Sequence, residues 1–540
     1  MKKRLALLMS IVMIISAFAV ACSKAEETTK KKKKKTKKTS RTEITEMTET
    51  ELPTDTEPTD SFSIETSPTP TVPAPTSDPM TISHDLTDLG VMRDSTCYQY
   101  GAMDPTADGY VNYDAVQVRF YCETVSVTDG GTTFIRDLNE MFSSIIDSGK
   151  QTYDDSVSKF LSAQQNGETL PYLTLNEYAT IYRADSQVFS FELSAEIYGY
   201  DIESESSSFY ANVDPNTSKD IEMSDIITDV DAFCDILDMY LYTKETSYRN
   251  EVKDAIRSGE DTVFAITYDG IVIDGIKIPV YGHEDCINME YFGKTPSEYC
   301  LLLDQNNVLE WDFDGDGVFE DLSVDYQNSE LTVHFNKNKY VFGEDQIPDI
   351  SKMDDLAWNS PHVLMCSPDM CKFIVSMNYS ETVERLIIFD LSSGEPVFEN
   401  VVEGRIVGVP LNPSDLRIGE DIDLVGGREM CRDYVLQADG SMVPQTAFVY
   451  MHSYPFVLSE DVTGDEFDWN TGDVKGKYTI KKDTAIEIIA YHPNSGAIVF
   501  KTLEPDSENC KYVQLESDKV DHVGGKDMDD LFPNQIYIGG

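Results

Sequence analysis

Between residues 23 and 80 this 540-residue chain carries few side chains from which a core could be built. The stretch opens with Lys30 to Lys35, Lys37 and Lys38. It continues in Thr, Glu and Pro, as in Thr54-Asp55-Thr56-Glu57-Pro58-Thr59 and Ser67-Pro68-Thr69-Pro70-Thr71. So little apolar burial does not offset the entropy of ordering a chain, so 23–80 is expected to be a disordered, semi-extended spacer. Folding is confined to the residues from about 81 onward.

Residues 1–22 need a different reading. Lys2, Lys3 and Arg4 precede an apolar run from Leu5 to Phe18, then Ala19-Val20-Ala21-Cys22. A basic start, a short apolar core and small residues before a break describe a secretory signal. The cysteine after the small residues resembles a bacterial lipobox, although Ala19 stands where Leu is commonest. The resemblance implies that Cys22 is lipidated and becomes the first residue of an extracytoplasmic, membrane-anchored chain. A cleaved signal without lipid and an uncleaved anchor are the alternatives; Leu5 to Ala21 is at the short edge of a span of roughly 20 residues. All three put 23–540 outside the membrane. The lysines then lie against anionic lipid heads or wall polymers, each contributing roughly 1 kcal/mol near a charged membrane.

Charge narrows the partners. The first 80 residues hold 13 Lys and Arg against 11 Asp and Glu, while the rest hold 30 against 85, giving a net charge of −53 overall. Such a body repels nucleic acid and anionic surfaces and suits cationic partners or divalent ions. The simpler reading is a solvated acidic surface. Nine cysteines remain beside Cys22, at 97, 122, 234, 286, 300, 366, 371, 431 and 510. The number is odd, so at least one is free or pairs with another chain. Only Cys366 and Cys371 are close in sequence, and no Cys/His set has zinc spacing.

Residues 81–305 read as an α+β domain with an antiparallel sheet and helices. Thr132 to Asp147 places Phe134, Leu138, Met141, Phe142, Ile145 and Ile146 at helical spacing. Gln187 to Tyr198 alternates, Phe189, Phe191, Leu193, Ala195 and Ile197 against Ser190, Glu192, Ser194 and Glu196, which predicts a half-buried strand. Asp214-Pro215-Asn216 marks a turn. Asp229 is the expected N-cap of a helix bearing Val230, Phe233, Leu237, Tyr240 and Leu241. Val263 to Ile273 reads as a hairpin turning at Asp269-Gly270.

Within this region the succession of a helix, a Tyr-rich hairpin, Ala211-Asn212-Val213-Asp214-Pro215-Asn216-Thr217-Ser218-Lys219-Asp220-Ile221, Met223-Ser224-Asp225-Ile226-Ile227, a helix and Thr267-Tyr268-Asp269-Gly270-Ile271 resembles RsiV-type anti-sigma factor ectodomains. The same module accompanies some peptidoglycan deacetylases. Ser218 stands where that family usually has Gly, and Pro279-Val280-Tyr281-Gly282-His283 departs from its pattern. The resemblance implies an α+β fold and a basic protein ligand such as lysozyme.

Asp312-Phe313-Asp314-Gly315-Asp316-Gly317-Val318-Phe319-Glu320-Asp321 is the sharpest local motif. Carboxylates at Asp312, Asp314 and Asp316 let a chain wrap one hard cation, Gly317 allows the turn, the Val318 carbonyl adds a ligand, and Glu320 or Asp321 closes the site. Residue 323 is Ser, so the EF-hand's twelfth-position Glu is missing. Val308 to Trp311 and Leu322 to Tyr326 read as flanking strands, as in calcium turns of surface β-repeats. Structural Ca²⁺ is therefore expected, with an acidic β-turn that holds no metal as the simpler reading.

Residues 306–452 are expected to form an all-β domain, with strands at Glu330 to Phe335, Phe373 to Met377, Glu384 to Asp390 and Asp433 to Gln437. Residues 453–540 resemble a small SH3-like β domain, with strands at Lys477 to Ile480, Ala485 to Tyr491, Ala497 to Thr502 and Tyr512 to Leu515. Trp311, Trp358 and Trp469 are either sugar-stacking platforms or, more simply, packing residues. Asp201, Glu203 and Glu205 read as a solvated patch. No GxSxG, HExxH or P-loop is present. The expectation is a non-catalytic surface lipoprotein that binds a cationic protein or a cell-wall glycan, without nucleic acid. A wall-active hydrolase or deacetylase and a purely structural surface protein are the alternatives.

Overall fold

The fold begins with β1 (Val91–Tyr100) and β2 (Val118–Val127), antiparallel with Val91 opposite Val127. A computed structural model describes residues 82–532, apart from 101–117, 168–172, 200–201, 260–262, 304–307, 314–317, 358–359, 380–382, 423–427, 451–455, 470, 505–508 and 519–521. The expected signal and spacer, residues 1–80, lie outside the described residues.

After β2 comes α1 (Thr132–Asn166). The sequence pattern predicted a helix only as far as Asp147. The apolar stripe in fact continues through Tyr153, Val157 and Phe160, all buried. Ser148, Gly149, Thr152, Ser156, Ser158 and Ser162 obscure it, because small hydroxyl residues and Gly are weak helix formers. The hydroxyls of Thr152, Ser156, Ser158 and Ser162 instead donate to carbonyls four residues back, at 2.7–3.0 Å. Gly149 has a packing reason: a Cβ there would come within 2.1 Å of the Phe120 ring. The absent side chain lets α1 lie directly on β2.

The helix is a crossover. It leads to β3 (Leu173–Ala184), which pairs parallel to β2, with Cys122 opposite Glu177. β4 (Phe189–Gly199), β5 (Ile202–Asp214) and β6 (Lys219–Asp220) follow, in the sheet order β1-β2-β3-β4-β5-β6. The antiparallel expectation is thus corrected: the sheet is mixed, since a long crossover permits one parallel pair. Phe134, Leu138, Met141, Phe142 and Ile145 of α1 bury against Phe120, Leu175, Ile181, Phe189 and Phe191.

Next come α2 (Met223–Ile226), α3 (Val230–Tyr240) and α4 (Thr246–Ser258). Asp229 caps α3, its carboxylate accepting from the Asp231 and Ala232 amides at 3.1 Å. β7 (Ala265–Ile266), β8 (Gly270–Ile273) and β9 (Ile276–Pro279) form a small antiparallel sheet. β7 reaches the face of β4 on which Ser190 was expected to meet solvent. Ser190 is fully buried there, donating to Asn212 Oδ1 at 2.7 Å and accepting from the Ile266 amide at 2.8 Å. The strand is covered on both sides at this end, which alternation alone does not reveal.

A buried charge cluster joins these pieces. Arg183 and Asp185 are both 0 % exposed and lie 2.6 Å apart. Arg183 also donates to the carbonyls of Tyr291 (2.5 Å) and Thr267 (3.4 Å), and its guanidinium sits 4.8 Å from the Tyr268 ring centre. Asp185 accepts from the amides of Gln187 and Val188. One residue beyond Tyr268, Asp269 pairs with buried Lys277 at 2.5 Å, and Lys277 donates to the Leu302 carbonyl.

The chain is then almost wholly β. β10 (Tyr299–Leu303) joins β15 (Asp355–Leu356), β16 (His362–Ser367), β17 (Met370–Asn378), β18 (Glu384–Asp390) and β19 (Val397–Glu403) in one sheet. Between them lies a second sheet of β11 (Leu309–Trp311), β12 (Glu320–Gln327), β13 (Glu330–Phe335) and β14 (Asn338–Phe342). One apolar cluster draws on residues from Ile82 to Leu391, so position 305 has this core on both sides.

Eleven strands form the last large sheet. They are β20 (Arg405–Ile406), β21 (Leu416–Ile422), β22 (Arg428–Leu436), β23 (Met442–Pro444), β24 (Val449–Tyr450), β25 (Phe456–Val457), β26 (Val462–Phe467), β27 (Val474–Ile480), β28 (Ala485–Tyr491), β29 (Ile498–Thr502) and β30 (Tyr512–Leu515). β24 pairs with β28, which carries this sheet across position 452. It is tied back to the start of the fold: Arg93 pairs with Asp415, Asn412 donates to Asp88, and buried Lys501 donates to the Cys97 carbonyl.

Two outcomes test this packing. Gly149→Ala should destabilise the protein by about 1–3 kcal/mol in urea unfolding, the range for overpacking; an unchanged midpoint would mean that α1 does not press on Phe120. Glu177 is buried beside Cys122, and burial raises its carboxyl to about 7, with the Cys122 hydrogen bond pulling it partly back. The native state therefore holds that proton more tightly than the unfolded chain. Its stabilising contribution is complete below about pH 4.3 and is lost as pH rises through about 7. Glu177→Gln should accordingly gain about 2–3 kcal/mol relative to wild type at pH 8 and almost nothing at pH 4.

Candidate functional site

The acidic turn closes the β11–β12 hairpin, in which Trp311 lies opposite Glu320 and Glu310 opposite Asp321. Asp312 and Glu320 stand at its two feet, 4 % and 6 % exposed. Glu320 Oε2 accepts from the Phe313 amide at 2.9 Å, so this carboxylate faces the turn. Strand alternation turns Asp321 to the other side, beside Glu310. Burial, and then the charges of Asp321 and Glu284, raise the Glu310 carboxyl above its ordinary value. Of the two carboxylates expected to close the site, Glu320 accepts from the backbone of the turn and Asp321 lies across from Glu310. Val318 is exposed, and Asp314 and Asp316 lie outside the described residues. Among the described residues no group of three or more His, Cys, Asp or Glu side chains is placed to hold a metal ion. Asp312 and Glu320 offer hard oxygen donors of the kind Ca²⁺ or Mg²⁺ takes, and a complete shell requires Asp314 and Asp316.

The turn stands on an aromatic floor. Trp311 is fully buried and donates its indole N–H to Tyr299 Oη at 3.0 Å. Phe319 packs on Tyr281 and Phe313 on Phe335, with ring centres 4.6 and 5.1 Å apart. Trp311 is thus a core residue and no sugar platform. Trp358 lies outside the described residues.

Trp469 is different. It is 37 % exposed and stacks on Tyr512, with ring centres 5.4 Å apart and planes 18° from parallel. Phe467 approaches at 6.0 Å and Tyr450, 40 % exposed, stands edge-on at 6.2 Å. Phe467 and Tyr512 pack below on Ile489, Ala490 and Val499. The ion pairs Asp468–Lys475 and Glu466–Lys511, at 3.1 and 3.3 Å, flank the rings. The result is a supported aromatic surface with polar edges, suited to flat, partly apolar ligands. Trp469 was singled out from sequence, but its companions were not. Phe467 and Trp469 two residues apart were a local signal. Tyr512 joins through the pairing of β26 with β30, and Tyr450 comes from β24.

Cys22 lies outside the described residues, as does Asp201, while Glu203 and Glu205 fall on β5. Among the described residues no helix is long and apolar enough to cross a membrane.

No protein-family model matches the chain, and a search of curated proteins finds no match. Structural neighbours include proteins of the DUF3298 family. A member from Bacteroides fragilis aligns with a TM-score of 0.27 and 12 % identity, over 37 % of this chain and 96 % of its own. A second, from Pseudomonas aeruginosa, aligns with a TM-score of 0.23 and 10 % identity, over 38 % of this chain and 96 % of its own.

The orientation of the two carboxylates has a direct consequence. Glu320→Ala leaves the Phe313 amide without its acceptor and should cost about 1–3 kcal/mol in urea unfolding. Asp321→Ala, at a half-buried position where no described side-chain hydrogen bond is lost, should stay within about 0.5 kcal/mol. Equal costs would contradict the assignment.

Proposed function

We propose that this chain is a lipid-anchored extracytoplasmic protein that binds a cell-wall glycan without transforming it. The observation that carries the reading is the exposed Trp469–Tyr450 surface, backed by Tyr512 and Phe467. The apolar face of a sugar ring stacks on such a surface while its hydroxyls meet the flanking charges. Anchoring at Cys22 is supported by the sequence of residues 1–22, and the spacer 23–80 would let the folded part reach into the wall.

A second reading, supported by charge, is capture of a strongly basic protein of the lysozyme kind. Residues 81–540 hold 85 acidic against 30 basic side chains, enough to steer a cationic partner. The resemblance of residues 211–227 and 267–271 to RsiV-type ectodomains points the same way. A wall-active hydrolase or deacetylase is the rival class, and a turnover assay on peptidoglycan with and without added metals separates it.

Within either reading, Asp312, Asp314, Asp316, the Val318 carbonyl and Glu320 would hold a structural Ca²⁺. The cation would relieve repulsion among clustered carboxylates and order the turn.

Calorimetric titration of the purified chain with soluble peptidoglycan fragments tests the glycan reading. Binding should weaken about 10-fold in Trp469→Ala, corresponding to ~1.4 kcal/mol. An affinity unchanged in that variant, or no heat at high micromolar concentration, would contradict it. Lysozyme binding that falls with salt and ignores Trp469→Ala would mark the second reading. For the metal, terbium luminescence sensitised by Trp311 should be displaced by calcium and lost in Asp314→Ala; a signal surviving that change would remove the turn from consideration.

A further inference from the structure

We propose that Cys366 and Cys371 form an intramolecular disulfide that locks the β16–β17 hairpin. The two residues are direct partners in the antiparallel register, and their Sγ atoms lie 3.4 Å apart. The hairpin closes through the pair Ser367–Met370, so Cys366–Cys371 is the next rung. The Cys371 amide donates to Ser392 Oγ at 3.2 Å, and its carbonyl accepts from the Leu391 amide at 2.9 Å. Both backbone groups of Cys371 therefore point toward the chain after β18 and away from β16. This makes the rung a non-hydrogen-bonded one, where Cα atoms approach to about 4.5 Å and side chains are closest. That separation lies inside the range of roughly 4.4–6.8 Å that disulfides span. Modest rotations about the two Cα–Cβ bonds would complete the bond, with no movement of the strands.

The surroundings favour the bonded form. Both cysteines belong to the large apolar core, 6 % and 8 % exposed. On the other side of Cys366, at the same level of the sheet, stands Tyr299, which receives the Trp311 indole hydrogen bond. The bond would thus fix the strand that pairs with β10, on which Tyr299 accepts from Trp311 in the aromatic floor of the acidic turn. Among the described residues no other Sγ–Sγ contact of hydrogen-bond length occurs; Cys122, for example, meets Glu177 and Cys286 meets the His283 carbonyl.

Each thiol gives up one hydrogen, the two sulfurs join, and two protons and two electrons pass to an oxidant of the disulfide class, whose own S–S bond opens to two thiols. A hydrogen bond to Cys366 and burial hold the Cys371 thiol far above its ordinary value in the folded chain. Attack by a thiolate is therefore slow once the core has closed, and the bond forms while the hairpin is still accessible.

The test is refolding of the reduced full chain in a buffer of oxidised and reduced glutathione, followed by denaturation, iodoacetamide capping and tryptic mapping. Residues 353–372 form one tryptic peptide holding Cys366, Cys371 and no other cysteine. The expected product is that peptide without caps and about 2 Da lighter than its dithiol form. Cys371→Ser should convert it to a singly capped peptide. A doubly capped wild-type peptide, matching the capping of Cys122 and Cys300, would overturn the proposal, and so would linkage of either cysteine to another peptide.

Discussion

A guanidinium and a carboxylate with no access to water hold the first half of this fold together. Arg183 belongs to β3, yet its partners come from three places: Asp185 beyond the strand end, the Thr267 carbonyl beside Tyr268, and the Tyr291 carbonyl. Removing one ion from water costs several kcal/mol, so such a pair persists only where each partner is fully used. Here the guanidinium spends its donors on a carboxylate and carbonyls and its face on Tyr268, while Asp185 also accepts two amides. Asp269 and Lys277 extend the network to Leu302 on β10. The mixed sheet, the three-stranded sheet and the later β region thus meet through polar contacts whose geometry is specific, with apolar burial supplying the bulk of the free energy.

Local features were readable from sequence where the cause was local. Asp229 is the cap its position implied, and Glu330–Phe335 and Glu384–Asp390 are strands with the expected limits. The second half of α1 escaped because its surface is Ser and Thr and its contact residue is Gly149. The parallel pairing of β2 with β3 escaped because nothing in either strand states which neighbour it will find. Ser190 read as solvent-facing because alternation describes one strand and ignores what a distant β7 will cover. Arg183 and Asp185 look like an ordinary charged strand end until the segment near Tyr268 closes over them.

The candidate sites divide in the same way. The acidic turn is a contiguous motif, and its flanking strands are where the hydrophobic pattern put them; register sets Glu320 across from Trp311 and Asp321 across from Glu310. The aromatic surface is assembled from residues 450, 467, 469 and 512, so only its most conspicuous member was visible beforehand. Both proposed surfaces depend on β sheets whose edges are fixed from elsewhere in the chain. Lys501 on β29, next to Tyr512 in the β29–β30 ladder, reaches back to the carbonyl of Cys97 on β1. The proposed binding role would rest on surfaces whose strands are held by such long-range ties.

The Arg183–Asp185 pair is therefore the most direct place to test the account. A double-mutant cycle of Arg183→Met, Asp185→Asn and the combined variant, followed by urea unfolding, measures their coupling. Each single change should cost about 3–5 kcal/mol, because it strands the other charge in the core, and the double variant should cost clearly less than their sum. Single losses below about 0.5 kcal/mol, or strictly additive ones, would show that the fold does not depend on this pair.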